Sequence, residues 1–85
     1  MKVSVEISLY PLDQNYIPPI QAFIDRLNTY TELKVIENTM STQVYGDYAS
    51  VFEILNTEMQ RTHQHTPKAA FVMKVLHGDL SPDTA

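Results

Sequence analysis

Residues 41–46 read Ser-Thr-Gln-Val-Tyr-Gly, a run of two hydroxyls and an amide leading into an otherwise strand-like segment. A strand that only fills a core does not need hydrogen-bonding groups of this kind. A second polar set alternates with apolar residues near the start of the chain. Val3, Val5, Ile7 and Leu9 fall on one side, and Ser4, Glu6, Ser8 and Tyr10 on the other. If the two segments are neighbouring strands, Glu6, Ser8, Tyr10, Ser41, Gln43 and Tyr45 share one face, and Lys74 joins them from a later strand. A few polar groups in a mostly apolar surround are the make-up of a small-ligand site. Thr42 belongs to the same run, although strict alternation turns it to the opposite face. A plainer reading is open: Glu6 and Lys74 form a cross-strand ion pair and the serines are merely solvated.

The groups that catalysis requires are not assembled. Nucleophilic catalysis needs a nucleophile beside a base. The histidines are His63 and His65, two residues apart at the end of a helix, and His77 at a strand end. Two-residue spacing points the first pair to different sides of a helix, which does not favour a shared metal, and cations there suit the helix dipole. Gly46 and Gly78 stand alone, so no glycine-rich phosphate loop exists. Carboxylates are not paired at useful spacing; Glu6 is the one acid in mid-strand. These observations predict a binding protein without catalytic residues, metal or cofactor.

The elements that position these groups follow from periodicity. Residues 2–10 alternate as a half-buried strand that Pro11 should end. Residues 17–30 repeat as a helix with Ile17, Ile20, Ile24 and Leu27 in one stripe, Phe23 beside it, and Asp25, Arg26 and Asn28 facing away. Pro18 and Pro19 suit its first turn. Residues 33–38 and 41–46 form a hairpin about Asn38-Thr39. Asp47 is placed to cap a second helix over 48–64, whose stripe is Val51, Phe52, Leu55 and Met59. Residues 68–77 form a last strand, apolar on both sides. The order β-α-β-β-α-β predicts an α+β, ferredoxin-like sandwich: a four-stranded antiparallel sheet, spatial order 4-1-3-2, with both helices on one face. Strands 1 and 3 are expected as a parallel centre. Residues 1–80 make one domain and 81–85 a C-terminal tail.

Composition narrows the partners. The chain has 85 residues and a formal net charge of −4. No basic stripe exists, so nucleic acid and membrane are not expected partners. There is no cysteine, no apolar leader and no apolar run near the ~20 residues of a membrane span, which predicts a cytoplasmic protein. Helices on one sheet face leave the other bare, and Ala70, Val72 and Leu76 would add an apolar patch to it. Self-association through that face or a strand edge is therefore expected, giving a homodimer or homotetramer.

Four segments together resemble the small thiamine-binding, YkoF-like family: VSVEISLYPL at 3–12, YIPPIQAFIDRLN at 16–28, STQVYGDY at 41–48 and KAAFVMKVLHGD at 68–79. The resemblance spans nearly the whole chain in the same order. It implies a ferredoxin-like fold, dimers or tetramers built by sheet packing, and binding of thiamine or its hydroxymethylpyrimidine moiety for transport or salvage. An aminopyrimidine presents an amino donor and ring-nitrogen acceptors. Gln43 offers both complements, and Ser and Thr hydroxyls serve either role. Tyr10 or Tyr45 would stack on the ring, and Glu6 or Asp47 would face a thiazolium cation. The alternative is a homo-oligomeric regulatory or assembly module without a thiamine ligand; an enzyme acting on a small heterocycle is a third reading.

Overall fold

The computed structural model describes residues 1–82. The elements are β1 (Lys2–Pro11), α1 (Ile17–Leu27), β2 (Lys34–Glu37), β3 (Thr42–Asp47), α2 (Tyr48–His65) and β4 (Ala69–His77). The sheet order is β2-β3-β1-β4. This is the ferredoxin-like arrangement, with one correction: the central β1–β3 pair is antiparallel, as are β1–β4 and β2–β3. A split βαβ unit makes β1 parallel to β2, and β3 inserts between them in the opposite sense.

Alternation sets the core. Val3, Val5, Ile7 and Leu9 of β1 meet Val44 of β3 and, from the helices, Phe23, Leu27, Val51 and Leu55. Gly46 is needed where β3 runs into α2: a Cβ there would sit 3.0 Å from Val51 Cγ2 and 3.1 Å from the Glu32 carbonyl oxygen. Pro11 ends β1 as expected, but as its last residue rather than the first beyond it: it lies opposite Ala69, a position where a missing donor is tolerated. Helix α1 is shorter than expected and stops at Leu27, where the Asn28 amide donates to the Ile24 carbonyl. Ile17 is exposed rather than part of the stripe.

Between the helices lies a buried polar network that the apolar stripe conceals. Glu58 is 1% exposed. Its carboxylate accepts from Arg26 Nε at 2.7 Å and from the Tyr30 hydroxyl at 2.5 Å, with Arg61 Nη1 at 3.7 Å. Arg26 Nη2 donates to the Thr62 hydroxyl at 2.8 Å. Arg26 therefore turns inward, not away. Burial pushes the Glu58 carboxyl up, but the Tyr30 and Arg26 hydrogen bonds and the arginine charges outweigh it and hold it below the usual range. The hydrogen bond to Glu58 pushes the Tyr30 phenol up.

After β4, Gly78 takes a positive φ of 96° and turns the chain back over the open sheet face. Ser4 Oγ donates to the Gly78 carbonyl at 2.7 Å and accepts from the Leu80 amide at 2.9 Å. Ser81, read as the start of a tail, is buried; residues 83–85 of that tail lie outside the described residues. No helix among the described residues is long and apolar enough to cross a membrane.

Candidate functional site

The open sheet face carries the polar strip expected from alternation. Across it run the rows Ile36–Gln43–Glu6–Lys74 and Lys34–Tyr45–Ser4–Leu76. The structure divides the expected site residues between two adjoining cavities. Glu6, Gln43 and Tyr45 line one of about 220 Å³ on the face, with Lys74 and Leu80 at its margin. Ser8, Tyr10, Ser41 and Thr42 line the other, a cleft of about 170 Å³ between β1, α1 and the β2–β3 hairpin.

The face cavity is already wired internally. Glu6 lies 3.5 Å from Lys74 Nζ. The Tyr45 hydroxyl donates to Gln43 Oε1 at 2.7 Å. Gln43 thus keeps its amide donors but has its acceptor engaged, unlike the two-sided edge the sequence suggested. Tyr45 is only 7% exposed, so its ring is not a free stacking surface, whereas Tyr10 is 54% exposed. Asp47 lines neither cavity. It occupies the N-cap position of α2 without a capping hydrogen bond, and its carboxylate is 3.7 Å from the Met1 amino group.

The cleft has a different character because β1 outruns β3. Pairing between them ends at Ile7↔Thr42, while β1 continues to Pro11 against β4. Main-chain groups alternate sides along a strand. The Met1 carbonyl accepts from Tyr48 on the β3 side, and Lys2 and Leu12 bond on the β4 side. Odd-numbered residues of β1 therefore aim their amide and carbonyl toward β3. For Leu9 no strand residue stands opposite, so its N–H and C=O face the cleft. Thr42 is mostly buried, but neither its hydroxyl nor that of Ser41 hydrogen-bonds a described residue, and since no buried side-chain oxygen among them lacks a partner, the Thr42 hydroxyl is open to the cleft. The Ser8 hydroxyl reaches the Met40 carbonyl only at 3.5 Å. The cleft's floor is apolar, formed by Ile20, Phe23 and Ile24, and Glu37 stands at its rim. Glu37 was not legible as a site residue: it is a charge at the end of a short strand, and only the hairpin's position gives it meaning.

No group of three or more His, Asp or Glu residues that would hold a metal occurs among the described residues. His63 Nε2 lies 2.9 Å from the Ala69 carbonyl, and His65 Nδ1 lies 3.0 Å from that of Arg61.

The family model described as "YKOF-related Family" matches residues 2–79. The chain belongs to the YkoF-related family. Solved structures share its fold. A protein from Streptococcus pneumoniae superposes with a TM-score of 0.87 at 24% identity, over 99% of this chain and 96% of its own. A Thermotoga maritima "putative thiamine biosynthesis/salvage protein" gives 0.87 at 14% identity, over 99% and 94%. A hypothetical protein from Methanocaldococcus jannascii gives 0.79 at 21% identity, over 94% and 84%. No curated protein matches the chain. At these identities the solved structures speak to the YkoF-related fold, not to the ligand.

Proposed function

We propose that the protein binds thiamine or its hydroxymethylpyrimidine moiety without catalysis, as a homodimer or homotetramer in the cytoplasm, in thiamine transport or salvage. One observation carries this reading: the cleft sets the Leu9 amide and carbonyl beside the unengaged Ser41 and Thr42 hydroxyls, over an apolar floor. A flat heterocycle with donors and acceptors along one edge complements that arrangement. The pyrimidine lies in the cleft, with Ser8 and Tyr10 at its mouth. The thiazolium, if present, meets Glu37, which makes no ion pair with a described residue, more readily than Glu6, which Lys74 already engages. Glu6, Gln43 and Tyr45 then shape the adjoining face. Family membership and the name of the Thermotoga protein support the ligand class.

Calorimetric titration with hydroxymethylpyrimidine and, separately, thiamine tests the reading. Saturable binding of the pyrimidine alone is expected, strengthened by the thiazolium if Glu37 contributes. Absence of binding by both ligands would leave the assembly module, favoured by the exposed β4 strand, as the better description. Turnover of a bound pyrimidine would overturn the non-catalytic part.

A further inference from the structure

We infer that the cavity between the last turn of α2 and the N-terminal half of α1 is a binding site for a phosphoryl group, held by both arginines of the chain. The site is separate from the heterocycle cleft and does not depend on the proposed function.

The chain carries two arginines, Arg26 and Arg61, and a formal net charge of −4. Both line a cavity of about 270 Å³, together with His65 and Thr66. Pro19 and Ala22 give it an apolar wall, and no acid among the described residues lines it. An acidic protein thus gathers both its guanidinium groups at one concave spot. This cavity and the cleft lie on different sides of α1. Pro19, Ala22 and Arg26 border the first, and Ile20, Phe23 and Ile24 the second. At 3.6 residues per turn the two triplets face directions roughly a third of a turn apart.

Glu58 accounts for only part of this positive charge. Its hydrogen bonds come from Arg26 Nε and the Tyr30 hydroxyl, and one guanidinium balances one carboxylate. Arg61 Nη1 stays 3.7 Å from Glu58 Oε2, beyond hydrogen-bonding distance, and Arg61 donates no side-chain hydrogen bond to a described residue. One positive charge is therefore left over at the cavity. Arg26 also keeps donors in reserve. Its Nε and Nη2 are fixed on Glu58 and Thr62, at 2.7 and 2.8 Å, whereas Nη1 has no described partner. The two bonds hold the guanidinium plane in place before any ligand arrives, which lowers the ordering cost of binding. His65 turns Nδ1 to the Arg61 carbonyl at 3.0 Å, leaving Nε2 without a described partner, and the Thr66 hydroxyl has none either. The helix-end carbonyls that would repel an anion are engaged: that of Arg61 by His65, and that of Thr62 by the Thr66 amide at 2.7 Å.

A single carboxylate is matched by one guanidinium fork. Two guanidinium groups from different helices, with a hydroxyl between them, suit a group of about −2 charge with three acceptor oxygens, which is a phosphoryl dianion. The cavity is larger than a phosphate ion fills, and the Pro19–Ala22 wall leaves room for the carbon skeleton of an ester.

Amide- and guanidinium-resolved NMR of the labelled protein, titrated with inorganic phosphate at constant pH and ionic strength, tests the site. Saturable shifts are expected at the Arg26 and Arg61 Nε–H signals and the Thr66 amide, with the Leu9, Ser41 and Thr42 amides still. Acetate should bind more weakly. Phenyl phosphate separates the two sources of the group: tighter binding than inorganic phosphate identifies an ester, equal or weaker binding the free ion, and both support the site. Arg61→Gln should weaken phosphate binding about tenfold or more, the loss of a charge-assisted hydrogen bond. Thr66→Val leaves the Glu58 network intact and should weaken it several-fold, with thermal melting confirming the fold of both variants. Shifts that do not saturate, acetate binding as tightly as phosphate, or an affinity unchanged in both variants would overturn the site. The cleft amides are read in the same spectra with their own ligand, so failure here leaves the proposed function standing.

Discussion

Thr42 shows how one residue resists a pattern-based reading. Alternation sends it to the helix side, which argued against a ligand role, and it is indeed buried there. Its importance comes from the end of β3: one step beyond, the pairing with β1 stops, and its hydroxyl borders the cleft. Thr42→Val keeps the shape and removes the hydroxyl, so it should weaken pyrimidine binding by about five- to tenfold, the loss of one net hydrogen bond, with little change in stability; parallel titration and thermal melting separate the two. Glu58 was missed for a related reason. An acid in a stretch of polar helix residues gives no sign of burial until Arg26 and Tyr30 arrive from α1. Glu58→Gln should cost about 3 kcal/mol in urea unfolding, the scale of breaking a buried pair. Because the folded carboxyl titrates below its ordinary value, its contribution is present above about pH 4.3 and is lost as pH falls through the lower folded value. The variant should lack that acid limb. Tyr30 has the opposite sign: its raised phenol contributes below about pH 10 and fades as pH rises, so Tyr30→Phe should remove an alkaline limb.

At the scale of elements, strands and helices were legible because periods of two and 3.6 residues run without interruption. The element order and strand order follow from them. The ends were less legible. Pro11 belongs to β1 because it needs no donor on an unpaired side, and α1 stops three residues early at the Asn28 turn. The sense of β1 against β3 could have been deduced from the crossover geometry and was misassigned. Gly46 links the hairpin to α2 through close approach, not through φ. Gly46→Ala should cost about 1–3 kcal/mol, since the Glu32 carbonyl opposite is main chain and yields little; chemical denaturation measures it. The polar strip was predictable from alternation. Its division into a self-wired face and an unengaged cleft was not, because that depends on where two strands cease to be paired.

For the whole molecule, three surfaces have distinct tasks. The helix layer closes the core and holds the Glu58 network. The open face carries the strip and is partly roofed by the turn through Gly78 and Leu80, an arrangement no periodicity announces. The β4 edge is left apolar and unblunted. The central claim concerns the cleft, and amide-resolved NMR of the labelled protein titrated with hydroxymethylpyrimidine tests it most directly. The account predicts saturable shifts at the Leu9, Ser41 and Thr42 amides, with those of Gln43 and Tyr45 moving less. Saturable shifts confined to Gln43, Tyr45 and Glu6 would place the ligand on the face instead, and an unchanged spectrum at millimolar ligand would contradict the binding itself.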